Sequence, residues 1–165
     1  NKLVSFLHTR HFFDWDKVFE DLIDKVKNDQ LLILRYKRKA YSSGFIWRRT
    51  RKIVEKNDEI RNLMKDIEKR YTIGHGWVLA YDEGGYHPFH KDGRYRGTHR
   101  IIISLGCTDK FMWFKQGKKL CGVRLQHGSM VILSKAGGGV TGDIEHAVTG
   151  DGAGWILVLE VSPKP

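Results

Sequence analysis

Residues 71–92 read YTIGHGWVLAYDEGGYHPFHKD, and the fold follows from how this stretch is parsed. Before Tyr71 the apolar residues recur every three or four positions. From Tyr71 onward they come in short runs that end at glycine. The runs RIIISLG (100–106), KFMWFK (110–115), GVRLQ (122–126), SMVILS (129–134), DIEHAV (143–148) and GWILVLEV (154–161) have the length of strands, with no helical stretch between them. Six or more successive strands without a helix connect as hairpins and pair antiparallel, which predicts a sandwich, jelly roll or barrel over 71–165.

Upstream, Trp15, Val18, Phe19, Leu22, Ile23 and Val26 repeat helically behind Asp14, a capping residue, so 15–27 is read as an amphipathic helix. LLILRY (31–36) is a strand candidate. Asn57 is placed to cap a second helix to about residue 70, with Ile60, Leu63, Met64 and Ile67 on one face. Both helices are expected to pack outside the β-core. A chain of 165 residues that is 41% apolar supports one core, hence a single domain. No apolar run approaches the ~18 residues of a spanning helix, and the N-terminus is too short in apolar residues for a signal peptide. The expectation is a soluble intracellular monomer, nuclear or cytoplasmic. Cys107 and Cys121 have no CxxC or zinc spacing and are read as reduced structural thiols.

Charge narrows the partner. Lys and Arg number 29 against 19 Asp and Glu, a formal net charge of +10, which favours a polyanion because clustered cations release counterions when they neutralise phosphates. The densest cluster is KRKAYSSGFIWRRTRK (37–52), where seven basic residues interleave with Tyr41, Phe45 and Trp47. The alternative is a solvated face with Phe45 and Trp47 in the core.

In HPFHKDG, His90 and Asp92 stand two apart, which on a strand points both to one face. His146, after the glycine-rich AGGGVTGD (136–143) and before an apolar strand, is placed to be a third ligand. Two imidazoles and a carboxylate on one face of an octahedron leave three positions open for a bidentate co-substrate and dioxygen, the pattern of non-haem Fe(II) oxygenases. His87, three before His90, falls on the opposite strand face. His75, His99 and His127 are read as structural or surface residues.

From about residue 35 to the C-terminus the chain resembles the AlkB-like Fe(II)/2-oxoglutarate-dependent dioxygenases. RYKRKAYSSG looks like the family's PR-x-x-x-x-YG element, which belongs to a nucleotide-recognition lid (about 30–56 here). WVLAYDEGGYHPFHKD is similar to N-x-Y-x-x-G…HxD, and IIISLGCTDKFMWF to SLG…F-x-F. LQHGSMVILS resembles L-x-HGD with Ser129 in place of Asp, and IEHAV resembles the distal YHGV. The resemblance implies a double-stranded β-helix (jelly roll) with two flanking helices. It implies Fe(II) held by His90, Asp92 and His146, 2-oxoglutarate hydrogen-bonded by Tyr81, and oxidative demethylation of an N-methylated nucleobase in DNA or RNA.

Three positions depart from the family. Leu79 replaces its asparagine, and Gly154 and Glu160 stand where its two carboxylate-binding arginines belong. Burying the distal carboxylate of 2-oxoglutarate without a cation costs several kcal/mol, so a replacement is expected on another strand. Arg100, which opens RIIISLG, is preferred to Arg124 and Lys135. For the substrate, a base extruded from its stack needs aromatic faces and cations. Arg38, Tyr41, Trp47, Arg48 and Arg49, with Arg94, Tyr95 and Arg96 beside the HxD, are the candidates. The departures also leave room for a catalytically reduced nucleic-acid-binding module, or for an oxygenase with an altered co-substrate or a protein substrate.

Overall fold

Strand-length runs closed by glycine require partners, and each finds one in an antiparallel neighbour. The computed structural model describes residues 4–8, 14–27, 32–36, 40–52, 54, 57–93, 97–135, 139 and 142–165. Its elements are β1 (Val4–His8), α1 (Trp15–Lys27), β2 (Leu32–Tyr36), β3 (Ala40–Ile46), α2 (Trp47–Thr50), α3 (Glu59–Glu68), β4 (Tyr71–Tyr81), β5 (His87–His90), β6 (His99–Leu105), β7 (Phe111–Gln116), β8 (Lys119–Arg124), β9 (Ser129–Ser134), β10 (Glu145–Thr149) and β11 (Gly154–Pro163). A seven-stranded sheet has the order β1-β9-β6-β11-β4-β3-β2, and a four-stranded sheet the order β5-β10-β7-β8. From β4 onward the chain passes back and forth between them, which is jelly-roll winding. Among the described residues no helix is long and apolar enough to cross a membrane.

Two apolar layers result. Between the sheets, Ile102, Met112, Phe114, Val148, Ile156 and Val158 form the inner core. On the outer face of the large sheet, Val18 and Leu22 of α1 and Leu63 and Met64 of α3 pack against Ile103 and Leu157. This is why IIISL and ILVLEV are nearly continuous apolar runs: β6 and β11 are covered on both faces.

The helix ends follow from local chemistry. Lys17 N–H donates to Asp14 Oδ1 (3.3 Å), so Asp14 caps α1 as its position predicts. The second helix begins differently, with Asp58 rather than Asn57 at its cap position and without a side-chain cap bond. Its first turn is satisfied from the neighbouring helix instead. Asp21 Oδ2 accepts the Ile60 N–H (2.9 Å), and Lys25 bridges Asp21 (2.9 Å) and Asp58 (3.0 Å).

Residues 32–36 and 40–46, inside the segment read as a lid, form two further strands of the large sheet. β3 pairs with β4 from Ala40↔Tyr81 to Ile46↔His75, and β2 pairs with β3. β1, which carries no strong sequence signal, pairs with β9. Gly154 is required by close approach: a Cβ there would collide with Sγ and Cα of Cys107. A side chain at this position would force the strand or Cys107 to shift.

Candidate metal centre

β5 is short and irregular, and its irregularity builds the site. His90 lies directly opposite His146 of β10, but the next pairing is Val148 with His87, so β5 carries one extra residue there. Such a bulge re-aims side chains. The His87 ring consequently lies 3.8 Å from the His90 ring, on the same side, which corrects the expectation that strand alternation would separate them.

His90, Asp92 and His146 converge. Their ligand atoms all lie within 4.8 Å of one another. Nε2 of His90 is 3.4 Å and Nε2 of His146 is 3.3 Å from the same oxygen, Asp92 Oδ1. Neighbouring donors around an octahedral ion, each at about 2.1 Å, are separated by about 3 Å, so the set fits such an ion with little adjustment. The tautomer of His90 is fixed as well: the Pro88 carbonyl, 2.6 Å from Nδ1, can only accept a hydrogen bond. Nδ1 therefore carries a proton, and Nε2, which donates to Asp92 in the metal-free protein, is the nitrogen that would give up its proton to a metal. Burial alone would raise the Asp92 carboxyl. The hydrogen bonds from His146 and His90 and the charge of Arg100 outweigh it and hold the group well below the usual carboxylate range.

Arg100 reaches this centre but is already engaged. Its Nη1 lies 2.8 Å from Asp92 Oδ2 and its Nη2 3.1 Å from Glu160 Oε1, and its guanidinium stacks 4.7 Å over Trp77. Arg100 and Glu160 are direct cross-strand partners on β6 and β11. Glu160 is thus a buried counter-ion, not a source of repulsion, and the guanidinium expected to hold the co-substrate is held by two carboxylates. Its bond to Oδ2 leaves Oδ1 facing the imidazoles. The other two cations considered are solvent-facing: Arg124 pairs with Asp109 (2.8 Å), and Lys135 is exposed.

A cavity of about 290 Å³ opens from the three ligands, lined by Trp77, Leu79, Tyr81, Met112, Ile156 and Val158 among others. Tyr81 is 5% exposed and contributes to this wall, as its place in the sequence implies. Leu79 makes part of the wall apolar. Lys110, which sequence reasoning passed over, is fully buried. Its Nζ donates to the carbonyls of Gly85 and Gly150 (2.8 Å to the latter) and lies 5.7 Å from the centre of the Tyr81 ring. The signal was present: Lys110 is in phase with Met112 and Phe114, the buried positions of β7.

The aromatic candidate of the basic segment goes elsewhere. Trp47 is 2% exposed in the outer core, on the helix-covered face of the large sheet, and its indole N–H donates to Glu68 (2.9 Å). Its ring has no open face for a base, which corrects the stacking role expected of it. Arg48 and Arg49 are exposed on the same short helix α2. Arg38, Arg94, Tyr95 and Arg96, and the side chain of Tyr41, lie outside the described residues. His127 is structural, with Nδ1 accepting the Gly106 N–H (2.9 Å).

No protein-family model and no curated protein matches the chain. Solved structures do. A prolyl hydroxylase from Trichoplax adhaerens, in complex with a hypoxia inducible factor peptide fragment, superposes with a TM-score of 0.67 at 9% identity, over 96% of this chain and 83% of that one. A Pseudomonas putida prolyl-4-hydroxylase gives 0.67 at 12% identity, over 99% and 94%. An oxidoreductase of the 2OG-Fe(II) oxygenase family from Burkholderia pseudomallei gives 0.59 at 13%, over 97% and 84%. The fold is that of the 2OG-Fe(II) oxygenases. In this fold, the His90–Asp92–His146 cluster lines a cavity between the two sheets.

Proposed function

We propose that the chain is an Fe(II)- and 2-oxoglutarate-dependent oxygenase that oxidatively removes a methyl group from an N-methylated nucleobase in DNA or RNA. One observation carries the oxygenase reading: two imidazole nitrogens and one carboxylate oxygen gather within 4.8 Å of one another beside an open, mostly apolar cavity. That donor set suits Fe(II) with open positions. Bound there with 2-oxoglutarate and dioxygen, the metal supplies an oxidant that turns C–H into C–OH.

The chain's own residues prepare the site. Pro88 fixes the His90 tautomer, and Arg100, anchored by Glu160, holds Asp92 Oδ2 so that Oδ1 faces the ligand position. Leu79, Ile156 and Val158 make the walls that exclude water from a reactive centre. A hydroxylated N-methyl group is a hemiaminal, which breaks without further catalysis to formaldehyde and N–H.

The nucleobase reading is supported by the ordered motif matches from Arg35 to Val148 and by the net charge of +10. A second reading, hydroxylation of a polypeptide side chain, is favoured by the likeness to prolyl hydroxylases and by the withdrawal of Trp47 from the site. Titration of the anaerobic Fe(II)-loaded protein with 2-oxoglutarate should produce a metal-to-ligand charge-transfer band; its absence refutes the oxygenase reading. Mass spectrometry then separates the substrates. A methylated oligonucleotide that loses its methyl group with formaldehyde release supports demethylation, and a peptide that gains one oxygen supports the second reading.

A further inference from the structure

We infer that the cleft between α2 and α3 holds the phosphodiester backbone of a nucleic acid, on the helix-covered side of the large sheet and away from the metal cavity; the choice of polyanion rests on the nucleic-acid reading above. The cleft measures about 380 Å³ and is lined by Trp47, Arg51, Arg61, Lys65, Glu68 and Lys69. Four of these six side chains are cationic and one is anionic. Glu68 is already engaged, its two oxygens taking the Trp47 indole N–H (2.9 Å) and Arg51 Nη1 (3.5 Å). Lys69 meets Asp66 at 3.2 Å, an exposed pair that water screens. Among the described residues no carboxylate pairs with Arg61 or Lys65.

The spacing along α3 points the same way. Arg61, Lys65 and the C-cap residue Lys69 stand four apart and form one row on the helix surface. Like charges at that spacing repel and destabilise a helix, and an anion lying along the row removes the cost. Arg61 is already positioned for it. Its Nη1 donates to the carbonyls of Arg51 (2.6 Å) and Val54 (3.0 Å), which ties the guanidinium to the α2 side of the cleft and leaves the rest of its fork for phosphate oxygens. Exposed Arg48 and Arg49 on α2, with Lys52 just beyond it, extend the positive surface past the cleft, which suits a chain of phosphates more than a single ion. This gives the basic segment a use that does not require Trp47 to stack on a base. Contacts of this kind position a strand without reading its sequence, so the cleft adds affinity and no base preference.

The test follows binding of a labelled single-stranded oligonucleotide to the full chain by fluorescence anisotropy at several salt concentrations. Lys65→Gln/Lys69→Gln replaces two exposed side chains and should leave the fold intact. With about 0.7 per contact per decade of salt, the double variant should lower the slope of log affinity against log salt by about 1.4, and the affinity at about 0.1 M salt by about 25-fold. Lys118→Gln/Lys119→Gln removes the same charge from the exposed β7–β8 hairpin and should cost no more than about twofold. Equal losses in the two doubles overturn the inference, because the attraction is then diffuse, and so does the absence of a loss in Lys65→Gln/Lys69→Gln. Phosphatidylserine vesicles separate the polyanions: a wild type that binds them through Lys65 and Lys69, and binds the oligonucleotide equally well without these residues, overturns the assignment to nucleic acid. The substrate reading is judged apart from the cleft. A methylated oligonucleotide that wild type and both doubles bind alike and demethylate alike removes the cleft and leaves demethylation standing, whereas a wild type that neither binds nor demethylates it removes the nucleic-acid reading itself.

Discussion

Asp92 serves two masters, with Oδ1 turned to His90 and His146 and Oδ2 to Arg100. Removing Arg100 frees the carboxylate to rotate, so Arg100→Ala should weaken Fe(II) or Co(II) binding by about 10–100-fold, measured by chelator competition. Arg100→Lys should recover part of the loss. Asp92→Ala should reduce affinity further than either. The clustering of His90, Asp92 and His146 was legible because its signals are local: a two-residue spacing on a strand, and a histidine between a glycine loop and an apolar run. The pairing of Arg100 with Glu160 was not, since it joins residues sixty positions apart through cross-strand register. His87 was misjudged for a related reason, because one bulged residue overrides alternation. At Cys107 burial raises the thiol to about 11 from an ordinary 9.0. A group raised in the folded state stabilises it fully below the unfolded value and loses that contribution as pH climbs through the folded one. Stability should therefore fall between about pH 9 and 11, by up to about 2 kcal/mol. Cys107→Ala should flatten that slope in urea denaturation at successive pH values.

At the scale of elements, capping and burial set the costs. Asp14→Ala removes the N-cap bond of α1 and should lower stability by about 1 kcal/mol. Trp47→Ala opens a cavity beneath α3 and leaves Glu68 without its indole donor, for about 3–5 kcal/mol. Because Trp47 belongs to the outer layer, metal affinity at temperatures where the variant is folded should not change, and calorimetric titration checks this. The strands of the core could be read from their apolar period. Which aromatic residues of the basic segment would be sealed could not, because that depends on α3 docking over β3 and β4. The start of α3 shows the same limit: Asn57 is a good cap by type, yet Asp21, supplied by α1, receives the first-turn N–H.

For the whole molecule, the excess of ten positive charges is a statement about encounter, not fold. If the substrate is a nucleic acid, affinity for a single-stranded oligonucleotide should fall steeply with salt. Neutralising about four phosphates predicts roughly a fiftyfold loss for a fourfold rise in salt, measured by fluorescence anisotropy. An affinity indifferent to salt argues for the polypeptide reading. Composition could announce the charge but not its arrangement, because which cations share a face depends on how strands and helices pack.

The contact between Gly154 and Cys107 ties the start of β11 to the turn after β6. The obstruction includes Cys107 Cα, so trimming the cysteine would not open the position, and an alanine at 154 should lower the melting temperature whether Cys107 is kept or replaced, as thermal denaturation of the single and double variants would show.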